Sequence, residues 1–306
     1  MIHARGGVRP PIHRGLSDRP LALLFILPAA VLLLIFAVYP FIVAAADSFF
    51  RVDFLSGART WVGLGNYLQV VSDPEIRAAF VRSFVWTVVN VAVQATLGVG
   101  IALLLNAQLF GQTLARGLVL FPYVVPAIVT ALVFEFMFND VTGLVNYLLV
   151  AAHVVHAPIS FLSDPKTVLW TLIAVNCWKY TPFIVIVVLA RLQVVPLELY
   201  DAAAIDGAGR WSSFRQVTLP WIMPVLIVAC MVRTIWTAYE FDLPYLLAFG
   251  GPLGASTTVP IEIRALAFGR QEIGAASALA ACAAIILAAG AYWYLRAYRR
   301  SEHRTE

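Results

Sequence analysis

The chain has 306 residues, of which 61% are hydrophobic and only 12% are charged, about half the charged share of a soluble domain. That much apolar surface excludes a water-soluble fold. The net charge of +4 does not indicate nucleic-acid binding, because the arginines sit at the ends of apolar runs, as membrane topology requires. Cys177, Cys230 and Cys282 lie in apolar segments without a CxxC pair and read as small buried side chains.

The apolar runs are continuous rather than alternating. From Ser83 to Ala115 there is no Asp, Glu, Lys or Arg. Crossing a bilayer takes about 20 apolar residues, and helices satisfy the backbone within one segment. The sequence predicts an all-α integral membrane protein with about six transmembrane helices, near 21–43, 83–107, 117–138, 167–190, 219–240 and 273–295. The first run follows Arg5, Arg9, Arg14 and Arg19 and precedes Ala44-Ala45-Ala46, a pattern shared with secretory signals. Its apolar stretch exceeds the roughly 7–15 residues of a signal core, so it is read as a retained span. No boundary for a second domain is visible, and residues 1–306 read as one membrane domain.

Six spans place both termini on one side. With the termini inside, the inner segments 1–20, 108–116, 191–218 and 296–306 carry 12 arginines in 68 residues. The outer segments 44–82, 139–166 and 241–272 carry 7 Lys or Arg in 99. The positive-inside rule therefore puts both termini in the cytoplasm, with Arg296, Arg299, Arg300 and Arg304 fixing the end of the last span. The outer segments hold Trp61, Gly63, Gly65, Asn66, Tyr67 and Gly250-Gly251-Pro252, residues of tight turns rather than loose linkers.

The inner loop between the fourth and fifth spans, 198–220, reads ELYDAAAIDGAGRWSSFRQVTLP. It is too long for a simple turn. Glu198 to Ile205 favours helix through Ala202, Ala203 and Ala204. Gly207 and Gly209 interrupt it, and a second helical stretch over Trp211–Val217 leads to Leu219-Pro220, where a proline at a helix start is tolerated. Two readings fit this spacing. Small alanines and acidic Asp201 and Asp206 suit docking of another protein; alternatively, Trp211 and Phe214 rest the hairpin on lipid headgroups.

Ionisable groups within spans are costly and face a cavity or a partner. Four are present: Glu135, Lys179, Arg233 and Glu240. Arg233 and Glu240 are seven residues apart, with Thr237 between them on one helix face. Trp236 and Tyr239 lie alongside. Aromatic faces beside hydrogen-bonding groups are what a sugar site combines. The competing reading is a structural ion network of Lys179, Arg233 and Glu240. Glu135 lies near the outer end of its span, where it reaches water. Asn90, Gln94 and Asn176 read as interhelical hydrogen bonders. His153 and His156 lie in a loop, and nothing around them completes a metal site. The sequence holds no P-loop pattern and no nucleophile–base pair at catalytic spacing, so the chain is not read as an enzyme.

The segment Asp201-Ala202-Ala203, Gly207, Val217, Leu219 and Pro220 resembles the EAA loop of permease subunits of binding-protein-dependent ABC importers, with Asp for Glu and Val for Ile. WVGLGNY at 61–67, FPYVVP at 121–126, WKYTPF at 178–183 and Phe241-Asp242 before Gly250-Gly251-Pro252 resemble the carbohydrate branch, the maltose-system permeases. The resemblance implies that Asp201, Ala202, Ala203, Gly207, Leu219 and Pro220 couple to an ATPase. It implies a substrate pathway at Tyr123 and Ala127, at Lys179, Tyr180 and Phe183, and at Arg233, Thr237 and Glu240; the charges there depart from the branch. It implies a cytoplasmic membrane of a bacterium or archaeon, and a second homologous permease. Two ATP-binding cassette subunits carrying ATP and Mg, an extracytoplasmic solute-binding protein and membrane lipid complete the partners, with no cofactor in this chain. The rival classes are an ion-coupled secondary transporter, which usually shows two related halves not visible here, a membrane enzyme acting on lipid-linked sugars, and a scaffold or receptor.

Overall fold

The computed structural model describes residues 18–53, 55–107 and 110–302. Arg5, Arg9, Arg14 and Arg304, which enter the orientation argument, lie outside them. The first helical run comprises α1 (Asp18–Leu33), a π-helical turn (Leu34–Val38) and α2 (Tyr39–Asp47). A short antiparallel hairpin follows, β1 (Phe50–Val52) and β2 (Arg59–Trp61), in register Arg51 to Thr60. Then come α3 (Gly65–Ser72), α4 (Pro74–Asn106), α5 (Gln112–Val124), α6 (Ala127–Met137), α7 (Leu144–Ala151) and α8 (Val168–Leu192). The chain continues through α9 (Leu197–Ile205), α10 (Arg210–Ser213), a second π turn (Phe214–Thr218) and α11 (Leu219–Ala238). It closes with α12 (Asp242–Ala248), α13 (Val259–Arg264), a third π turn (Ala265–Gly269) and α14 (Ile273–Glu302).

Five of these helical runs are long and apolar enough to span a bilayer: Phe25–Asp47, Pro74–Asn106, Val168–Leu192, Arg210–Ala238 and Ile273–Arg296. The sixth, expected as one span over 117–138, is two helices, α5 and α6, bent by 97°. The physical cause lies at Val125-Pro126. Val125 precedes a proline and is extended, with ψ 129°, and Pro126 has no N–H to continue the ladder. The second span also begins earlier than its apolar run, at Pro74 rather than near 83. Asp73 caps it by accepting from the amides of Glu75 (2.7 Å) and Ile76 (3.4 Å), with Pro74 at the first helical position.

The core is the line of contact between α4, α8 and α11. Trp86, Leu172, Ile184 and Ile222 are almost wholly buried there. Gly98 permits the approach of α4 to α8: a Cβ at that position would stand 2.6 Å from Ile184 Cγ2. The first helical run, by contrast, has Phe25, Ile26, Leu27, Phe36 and Phe41 exposed, the surface that a lipid-facing helix presents.

The segments expected on the outer side are ordered. Asn66, from the WVGLGNY stretch, donates to the carbonyls of Ser48 (2.8 Å) and Phe50 (2.9 Å) and so ties α3 to the hairpin. Thr257 and Ser256 donate to the carbonyls of Gly250 and Gly251 at 2.9 and 2.6 Å, closing the glycine-rich turn. Arg270 reaches Asp73 (3.4 Å), Glu75 and Glu262 (3.2 Å), joining the start of α4, α13 and the approach to α14. Glu262 is buried, and its Oε1 accepts no well-aligned hydrogen bond. Burial therefore holds its carboxyl above the ordinary carboxylate range, against the opposing pull of Arg270.

A raised folded-state pKa means that the protonated form of Glu262 is favoured by folding. Its contribution is complete below the ordinary carboxylate value and is lost as pH rises through the raised one. Melting temperatures of the purified protein between about pH 4 and pH 8 should accordingly fall across that window, and Glu262→Gln should flatten the slope. An unchanged slope in the variant would place the pH dependence on another group.

Candidate functional site

Arg233, 1% exposed, lies on α11 in the middle of the α4–α8–α11 contact. Its Nε donates to Gln94 Oε1 on α4 at 2.9 Å, and its Nη2 to Thr237 Oγ1 one turn along at 3.0 Å. The guanidinium sits 4.4 Å from the ring centre of Tyr180 on α8, a cation–π contact. Gln94 in turn donates to Asn176 Oδ1 at 3.0 Å, and Trp86 donates to the carbonyl of Thr237 at 3.0 Å. Asn90 donates to the Trp86 carbonyl (2.8 Å) and lies 3.3 Å from the Cys177 sulfur. Buried polar groups require such partners, and here they join three helices.

Lys179 is also buried. It donates to the carbonyl of Val125, the residue that ends α5 at the broken span. The break leaves carbonyls without helical partners, and a cation at a helix C-terminus meets both the lone pairs and the dipole. Lys179 thus braces the kink. Its ammonium lies 5.3 Å from the Tyr180 ring centre.

Glu240 was expected on the same helical face as Arg233 and Thr237. It lies instead just beyond α11, which ends at Ala238. From there it accepts a hydrogen bond from the Tyr180 hydroxyl at 3.1 Å. Among the described residues no ion pair within 4.0 Å joins Lys179, Arg233 or Glu240. The cations are satisfied by neutral oxygens rather than by the carboxylate. Around them the aromatic rings are contiguous. Tyr123 lies 6.2 Å from Tyr180 and 6.4 Å from Phe183, and Phe183 lies 5.3 Å from Trp236. Tyr123 and Trp236 are 37% and 39% exposed, so the row has an open side. Ala127 starts α6 at the kink and is half-buried.

The sequence marks Gln94 only as an interhelical hydrogen bonder; its bond to Arg233 depends on the relative register of α4 and α11, which no local pattern reports. The Val125 carbonyl was likewise not foreseen, because it becomes available only where the span breaks.

The 198–220 loop folds as helix, turn, helix. Asp201, Ala202 and Ala203 lie on α9, whose residues are all at least partly exposed. Gly207 has φ +75°, the left-handed region. Its amide bonds to the Ala204 carbonyl (3.1 Å) and the Ala208 amide to the Ala203 carbonyl (2.9 Å), which together close a Schellman motif. Ile205 and Trp211 are 87% and 74% exposed. Leu219 and Pro220 open α11, and Pro220 is exposed. The hydroxyls of Tyr200 on α9 and Thr218 just before α11 are 2.9 Å apart, hydrogen-bonded across the loop.

The family described as binding-protein-dependent transport system inner membrane component matches residues 94–305. The chain is 36% identical over 257 residues to the trehalose/maltose transport system permease protein MalF of Thermococcus litoralis, covering 84% of this chain and 85% of that one. It is 33% identical over 266 residues to the sulfoquinovosyl glycerol transport system permease protein SmoG of Agrobacterium fabrum, covering 87% and 86%. Among solved structures it superposes on a chain of a bacterial ABC transporter involved in import of the acidic polysaccharide alginate, with TM-score 0.81 over 93% of this chain and 96% of that one. At 21% identity that likeness shows a shared fold.

Proposed function

This chain belongs to the inner membrane components of binding-protein-dependent transport systems, and from that premise we propose that it forms half of a translocation pathway for a carbohydrate or related solute. It is a multi-pass permease subunit, a transport component rather than an enzyme. In our reading, a second homologous permease supplies the other half, and two cassette ATPases bind ATP and Mg. An extracytoplasmic binding protein delivers the solute, and both termini of this single membrane domain face the cytoplasm. The carbohydrate assignment is supported by the relatives, whose names specify trehalose/maltose and sulfoquinovosyl glycerol, and by the aromatic row beside Glu240. Membership of an ATP-driven family disfavours the ion-coupled transporter.

The observation that carries the mechanism is the exposed α9 turn tied to the base of α11. Movement of an ATPase against Asp201, Ala202, Ala203 and Gly207 reaches α11 through the Tyr200–Thr218 hydrogen bond and through Leu219 and Pro220. At its far end α11 carries Arg233 and Thr237, with Glu240 just past it. ATP-driven closure thereby reorients the polar cavity between the two sides of the membrane.

Tyr200→Phe tests this linkage. It removes one hydroxyl and little volume, so the complex should assemble and hydrolyse ATP. Uptake per ATP should fall about threefold to tenfold, the range expected for losing one hydrogen bond of about 1 kcal/mol in the coupled state. Thr218→Val should do the same, and the double variant no more than either. Additive losses would show that the two hydroxyls act separately.

A further inference from the structure

The cluster of charged side chains around Arg270 lies away from the aromatic row, at the end of the molecule opposite the 198–220 loop. At the loop end, Leu105 of α4 packs with Leu192 and Ile222. At the other end, Ile76 and Ala79 of α4 pack with Val259, Leu266 and Leu279. There α13 is fastened to α4. Ser83 Oγ accepts from the Val259 amide at 2.7 Å, and Arg82 Nε donates to the Thr257 carbonyl at 2.7 Å. The third fastening is Glu262, whose side chain is 5% exposed and lies 3.2 Å from Arg270 Nη2. That guanidinium is shared, since it also pairs with Asp73 and Glu75 at the start of α4.

One counter-ion thus serves three carboxylates, and the most buried of them is the least well served. Glu262 Oε1 is buried without an aligned hydrogen bond, and so is Thr258 Oγ1 one turn earlier at the start of α13. The charged groups facing Glu262 are Arg270 and Arg82 on one side of the balance and Glu75 and Asp73 on the other. Arg264 turns away to the ring of Tyr245 (4.5 Å), Glu272 accepts from Gln69 (2.7 Å), and Arg77 is exposed. With two cations set against two carboxylates, burial decides: the neutral acid suits this position and the ion is better placed in water. Ionisation of Glu262 therefore favours any state in which α13 lifts from α4 and the carboxylate is hydrated, because proton binding and a two-state element are linked.

We propose that Glu262 and Arg270 form a proton-operated latch between α13 and α4, shut while Glu262 carries its proton and released when that proton passes to solvent. The chain runs from Glu240 through α12 and the glycine-rich turn directly into α13, so release frees the segment that leads to the aromatic row. On the permease reading this is the extracytoplasmic face, and an acidic exterior keeps it shut; the latch itself does not rest on that reading. Its test is hydrogen exchange with mass spectrometry on the purified full chain in lipid nanodiscs, between about pH 4 and pH 8. Each rate is corrected for the intrinsic pH dependence of amide exchange. Exchange in peptides spanning 257–264 should rise about tenfold across that range, while the buried stretch of α8 stays flat. Glu262→Gln, a permanently neutral stand-in, should hold the low rate at every pH. Arg270→Gln removes the counter-ion, so its rise should be larger and extend to higher pH. The proposal is overturned by a flat profile in the wild type, by a slope that persists in Glu262→Gln, or by one that Arg270→Gln leaves unchanged. A parallel rise in α8 also overturns it, because the opening would then be of the whole fold rather than of a latch.

Discussion

Replacing Gln94 with leucine should destabilise the fold by about 3 kcal/mol, because hydrogen bonds to charged groups are worth about 1.5–3 kcal/mol each and a buried charge left without its partner keeps its full desolvation penalty. Gln94 serves two buried partners at once: its oxygen accepts from Arg233 and its amide donates to Asn176. Leucine has similar volume, so packing along α4 changes little and the loss is electrostatic. Asn176 would then have both amide atoms unpaired, since its Nδ2 has no partner even in the wild type. Gln94→Glu supplies an acceptor for Arg233 and loses only the donor to Asn176, so it should keep more of the stability. Thermal melts of the purified variants in one detergent give the order wild type, then Gln94→Glu, then Gln94→Leu. A leucine variant as stable as the wild type would mean that the Arg233 guanidinium is satisfied without Gln94.

The second large effect concerns Gly207. Its φ of +75° costs a non-glycine residue about 1–2 kcal/mol, most for a β-branched side chain. A Cβ there meets nothing within 4 Å, so Gly207→Val introduces strain without a clash. The Schellman turn that sets the angle between α9 and α10 should then be populated roughly 5–30 times less. Gly207→Val should insert normally and lose uptake by about that factor, while basal ATP hydrolysis by the complex persists. Gly100→Val, at a helical position with equally open surroundings, is the control for a bulky insertion. Undiminished uptake in Gly207→Val would remove the 198–220 loop from the coupling path.

The contrast between these two residues shows what a single sequence displays. The Gly207 turn was legible because every signal in it is local: alanines that favour helix, two glycines that interrupt it, and a proline that starts the next helix. The spans were legible for the same reason, since continuous apolar runs of sufficient length have few alternatives. The break at Val125-Pro126 was not, because the apolar composition runs through it unaltered and prolines are tolerated in membrane helices. The earlier start of α4 was written in Asp73-Pro74 but hidden by the charges that follow, Glu75 and Arg77. Glu240 was placed on a helical face by spacing that holds only while the helix continues, and α11 stops two residues short of it. The pairing of Gln94 with Arg233, 139 residues apart, follows from how α4 and α11 slide against each other. Periodicity reports which face is polar and not which partner it meets.

The family resemblance in the sequence pointed to the family that the chain belongs to, and the 198–220 loop folds as helix, turn, helix. What the residues in that loop dock against separates an importer subunit from the rival classes. The most direct measurement is affinity purification of the tagged full chain from native membranes in a mild detergent, with mass spectrometry and densitometry of the proteins retained. The expected result is a P-loop ATPase at about two copies and one second six-span permease for each copy of this chain, with all of them retained in Gly207→Val. Recovery of the chain alone, under conditions that hold other importer complexes together, would contradict it.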